Sequence, residues 1–170
     1  MSVSQSLLEL VATAQVTAKA SEDRISQALT NMAGPNRTEL HAKELRRASK
    51  ALELVAVDIF STFEARMQHH FKRGPFSRKL KTLLLESKQP DLADRLHKYY
   101  LAVNVLKHGK GASYRELLKS PTSLFAVTAP PADPTDEAKA NQSLIDVTAP
   151  GFFDGLTDTI IEAYHFLEGK

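Results

Sequence analysis

Glycine and proline cut this chain into helix-sized lengths, and that punctuation limits what it can fold into. Gly34-Pro35, Gly74-Pro75, Pro90, Gly109 with Gly111, and Pro150 all stand at the edges of apolar-periodic runs. Glycine accepts the left-handed backbone that ends a helix, and proline cannot continue one but suits its first turn. Between these marks the apolar residues step by three and four, the helical period. Residues 3–32 carry Leu7, Leu8, Val11, Ala14, Ile25, Leu29 and Met32 in such a stripe, with Ser21 and Asp23 as a place where the helix could divide. Thr38 opens a second helix that reaches about Lys72, where Leu45, Ala48, Leu52, Val55 and Ile59 are widened by Leu54, Val57, Phe60 and Phe63. So broad an apolar face fits the central helix of a bundle.

A third helix is expected over 76–88, with Phe76, Leu80, Leu83 and Leu84 inward. A fourth runs from Pro90 to Lys107 or His108. A fifth, brief one is opened by a capping box of Ser113 and Glu116 and ends near Lys119. Residues 120–142 then change character, with four prolines and little helical periodicity. LFAVT (124–128) and SLIDVT (143–148) are alternating enough to pair as a small β-hairpin with a mobile, acidic tip. The last helix follows Pro150, with Phe152, Phe153, Leu156, Ile160, Ile161, Tyr164 and Leu167 on its apolar face. The expected architecture is all-α: a four- to five-helix bundle with a small β-hairpin or extended excursion before the C-terminal helix. Residues 1–170 read as one domain without internal repeats.

Composition agrees with a packed core rather than disorder, at 42% hydrophobic and 25% charged over 170 residues. There is no cysteine, which excludes disulfides, thiolate metal sites and a thiol nucleophile. The N-terminus lacks the basic start of a secretory signal, and Glu9 interrupts its apolar run. No run approaches the about eighteen apolar residues of a membrane-spanning helix. The expectation is a cytoplasmic protein without a membrane partner.

Charge is unevenly placed. Residues 35–120 hold eighteen basic and nine acidic side chains, whereas residues 121–170 hold two basic and eight acidic. Either the basic middle meets an anionic partner, or the acidic C-terminal part packs beside it. Lys43, Arg46, Arg47 and Lys50 share one side of the second helix, and Lys72, Arg73, Arg78, Lys79 and Lys81 surround the turn that follows. Such arrays neutralise phosphates, and they also occur as plain solvated faces. No base-reading motif or aromatic platform accompanies them, so RNA or DNA bound there would be read with little sequence preference.

Residues 94–118, DRLHKYYLAVNVLKHGKGASYRELL, carry the chemistry-bearing side chains. At 100° per residue, Leu92, Leu96, Tyr99, Val103 and Leu106 fall on one side, the expected core face. His97, Asn104 and His108 fall in a narrow arc opposite, with Leu101 and Val105 close by. Gly109 and Gly111 let the backbone turn, and the next helix presents its first N–H groups with Lys107, Lys110 and Arg115 around them. Such a terminus suits a phosphate, although glycine, serine and lysine are also ordinary capping and surface residues.

A helix with Asn104-x-x-x-His108 followed by Gly109, then a variable excursion and a final amphipathic helix, resembles the HEPN superfamily. The resemblance spans residues 38–170, and its specific part is Asn104 to Gly109. It implies a homodimer formed through the motif helices and metal-independent cleavage of RNA. Val103 stands where the family's arginine would be. Carried over, the resemblance makes His108 the general acid or base, with Asn104 orienting it or donating to a phosphate oxygen. Lys107, Lys110, Arg115 and His97 would hold the phosphate. The alternative is a non-enzymatic, dimeric interaction or regulatory module that meets a protein partner through the same helices. No cofactor or metal is expected: His69 and His70, being adjacent, should point to different helix faces, and Glu64 lacks the spacing of a zinc motif. GKGAS lacks the glycine spacing of a phosphate loop and follows a helix rather than a strand.

Overall fold

The computed structural model describes residues 5–35, 38–130 and 143–169. Six α-helices and one 3-10 turn occur among them: α1 (Leu7–Ala33), α2 (Glu39–Met67) with the 3-10 turn Gln68–His70, α3 (Phe76–Glu86), α4 (Pro90–His108), α5 (Ala112–Lys119) and α6 (Phe152–Glu168). The all-α expectation therefore holds, and the helix boundaries follow the glycine and proline marks closely.

Local chemistry explains the ends. Ser6 and Glu9 form a reciprocal capping box at the start of α1. Serine 21 does not divide that helix, because it is buried within an unbroken run. Pro90 occupies the first turn of α4, where a missing N–H costs nothing. Gly109 ends α4 at φ 74°, in the region that favours glycine, and its N–H reaches the carbonyl of Val105 at 2.8 Å.

The helices α1, α2, α4 and α6 form the bundle, with α1 and α2 paired along their lengths and α6 touching the other three. α3 and α5 pack on the flank of α4. This places α4, not α2, at the centre. Leu92, Leu96, Tyr99 and Val103 are buried as the wheel predicts, and Ala93, Leu101, Ala102 and Val105 are buried as well, since α2, α3, α5 and α6 each cover part of the circumference. Leu106, assigned to the core face, is half-buried against it.

The extended excursion exists, but the β-hairpin does not form. Among the described residues there is one antiparallel bridge, Val127 with Ile145, flanked by Thr128 N–H to Leu144 O at 2.8 Å and Asp146 N–H to Ala126 O at 3.0 Å. Two strands without a third partner gain little from pairing. Here the segments are held by their side chains, with Phe125, Ile145 and Val147 inserted into the helical core. Phe125 packs on Tyr99 and Phe152 at ring distances of 5.6 and 5.9 Å. The expected acidic tip falls on residues 131–142, outside the described residues.

Candidate nucleic-acid interface

The corner between α4 and α5 gathers the residues singled out in the sequence. α4 delivers His97, Asn104, Lys107 and His108 along its last three turns, and the Gly109–Gly111 turn carries Lys110 across to α5 with Arg115. Gly111 is the N-cap of α5 and supplies no side-chain cap. Backbone donors of that first turn consequently lack a capping side chain.

The expected capping box is replaced by two cross-links. Because α5 begins at Ala112, Ser113 and Glu116 lie inside it, and their side chains turn to α4. The Asn104 amide donates to Ser113 Oγ at 3.3 Å. Glu116 Oε2 lies 2.6 Å from His97 Nε2, and the His97 ring stacks near Tyr100 at 6.3 Å. Thus two of the three polar residues on the arc seat a helix. The Glu116 carboxylate occupies the Nε2 side of His97.

His108 differs from both. It is exposed, and it makes no hydrogen bond, ion pair or ring contact within the described residues. Lys107, Lys110 and Arg115 are exposed too, and none forms an ion pair among the described residues. Lys107 is close enough to Glu64 to favour the charged carboxylate there. Val103 is 1% exposed, enclosed by apolar neighbours.

The basic arrays divide in the structure. On α2, Arg47 lies 3.9 Å from Glu44, and Lys50 lies 3.6 Å from the buried Glu53, so half of that row is neutralised. Lys72, Arg73, Arg78 and Lys79 around the α2–α3 turn are exposed, and like Lys81 have no ion-pair partner among the described residues. The same turn borders a cleft of about 450 Å³ lined by Ser61, Glu64, Gln68, Ser77 and Tyr100. Burial raises the Glu64 carboxyl above the ordinary carboxylate range, while Lys107 and a 3.4 Å hydrogen bond from Ser77 pull it back.

Two residues of this region carry no readable signal in the sequence. Lys98 is 6% exposed and directs its ammonium to Ser120, the C-cap of α5, at 2.8 Å from the carbonyl and 3.0 Å from Oγ. A lysine beside an alternating apolar run reads as solvent-facing, and its role depends on where α5 ends. Glu64 sits between apolar residues of α2 and is enclosed by the later arrival of α3. No protein-family model, curated protein or solved structure matches this chain, so geometry alone carries the functional reading.

Proposed function

We propose that this chain is a HEPN-like helical protein that binds single-stranded RNA at the α4–α5 corner, without turning it over as a ribonuclease. One observation carries the reading: Lys107, His108, Lys110 and Arg115 are exposed around a single helix-turn-helix corner; His108, Lys110 and Arg115 have no partner within the described residues, and Lys107 acts on Glu64 only from beyond ion-pair distance. Exposed cations beside an uncapped helix start attract phosphates through charge and backbone N–H groups together. The basic α2–α3 turn lies beside the cleft that Tyr100 of α4 lines, which lengthens the surface available to a phosphate backbone.

Three features speak against fast cleavage. Val103 fills the core at the position where the resemblance calls for arginine. Asn104 is engaged with Ser113, and His97 with Glu116. His108 alone retains the freedom of a general acid or base, and one imidazole without a positioned charge stabiliser supplies only a part of such catalysis. Incubation of labelled RNA with the purified protein, in chelator and at low salt, tests this. The RNA is expected to shift into a complex and to stay intact with both the parent and His108→Ala. Cleavage by the parent that disappears in His108→Ala would overturn the non-catalytic reading and restore a metal-independent ribonuclease.

A further inference from the structure

His69 and His70 do not diverge as neighbours on a regular helix would. α2 tightens into the 3-10 turn Gln68–His70 before Phe71 leaves in an extended conformation, and the two imidazole rings lie 4.2 Å apart at 34°. α6 ends beside them, bringing Glu168 Oε1 to 3.8 Å from His70 Nε2. One ligand atom from each of His69, His70 and Glu168 lies within 4.8 Å of the others.

The hydrogen bonding of His69 is that of a metal ligand. His69 Nδ1 lies 2.8 Å from the Arg66 carbonyl oxygen. A carbonyl can only accept, so Nδ1 holds the proton, and the neutral ring leaves the Nε2 lone pair free. An imidazole oriented through its other nitrogen by a backbone carbonyl is the usual outer support of a metal-bound histidine. His70 Nε2 is buried and has no hydrogen-bond partner within the described residues. A buried, unpaired ring nitrogen facing a carboxylate and a second imidazole is costly unless something fills the gap between them.

We propose that His69, His70 and Glu168 bind a divalent transition metal of the zinc type. Two imidazoles and one carboxylate match the donor preference of zinc, nickel or copper, and not that of calcium or magnesium, which take oxygen ligands. Bonds of about 2.0–2.1 Å require donor separations of roughly 3.4 Å in a tetrahedral set. The His70–Glu168 separation of 3.8 Å is near that value, and the three ligand atoms, within 4.8 Å of one another, would draw together around the ion through rotation of the exposed His69 and Glu168 side chains. Three protein ligands leave the fourth position to water. The ion would fasten the C-terminal end of α6 to the end of α2.

The test is calorimetric titration of zinc into the full chain after chelator treatment, with thermal unfolding of the same samples. About one zinc per chain, bound with a Kd of about 10 μM or tighter and raising the unfolding temperature, is expected. His69→Ala and His70→Ala should each weaken binding by at least about tenfold, and Glu168→Gln should weaken it too. His41→Ala, on the first turn of α2, should bind as the parent does. His69 and Glu168 are exposed, so their variants test the site even where His70→Ala fails to fold. Absence of stoichiometric binding at about 100 μM zinc, or equal binding by His69→Ala and Glu168→Gln, would overturn the proposal.

Discussion

Gly155 faces the hydroxyl of Tyr99 where α6 crosses α4, and a methyl group at that position would fall well inside contact distance of the phenol oxygen. Gly155→Ala is therefore expected to lower stability by ~1–3 kcal/mol in urea denaturation. Pairing it with Tyr99→Phe should recover much of the loss, because the offending atom is then gone. An equal loss in both backgrounds would contradict this account of the crossing. Glu64 gives a pH signature. Its folded carboxyl is raised above the value of 4.5 by burial, so the folded chain holds that proton longer than the unfolded chain. Its contribution to stability is full at low pH and declines as pH rises from the ordinary carboxylate range through the folded pKa. Glu64→Gln should thus gain on the parent as pH rises through the carboxylate range in paired denaturation curves. A pH-independent difference would contradict the assignment.

At the scale of elements, α5 is held by polar contacts as much as by its two buried residues, Tyr114 and Leu117. Lys98 meets the carbonyl end of α5, where a cation is favoured by the helix dipole, while Asn104 and His97 grip the helix from within α4. Lys98→Met keeps the apolar stem but strands the Ser120 carbonyl, and should cost ~1–3 kcal/mol. Hydrogen exchange should show faster opening of 112–120 in that variant, with α1 and α2 unchanged. Uniform loosening of every helix would contradict a local role. The elements themselves were largely legible, since glycine and proline act on the backbone within one or two residues. What escaped was anything decided between elements. Ser113 and Glu116 have the spacing of a capping box, yet α5 is capped two residues earlier, at Gly111, so both side chains are free to reach α4. The 3-10 tightening at 68–70 is equally invisible in a helical wheel that assumes a constant turn.

For the whole molecule, the pattern of α4 misled because a wheel assigns one inward face, whereas a helix surrounded by four others buries most of its circumference. The hairpin expectation failed for a related reason: LFAVT and SLIDVT alternate because alternate residues enter a helical core, not because they belong to a sheet. Among the described residues no helix is long and apolar enough to cross a membrane. The division of His97, Asn104 and His108 into two packing residues and one exposed imidazole depends on the position of α5, which the sequence does not show.

The proposed binding of RNA to the exposed cations of the α4–α5 corner is open to a salt titration. Fluorescence anisotropy with a mixed-sequence single-stranded RNA would be followed across salt concentrations for the parent and for the variant combining Lys107→Ala, Lys110→Ala and Arg115→Ala. Single-stranded RNA binding should follow log–log salt dependence of roughly 0.7 per neutralised phosphate, so the triple variant should bind more weakly with a slope shallower by about 2. Equal affinity and slope in parent and variant, or no binding by the parent at low salt, would contradict the claim.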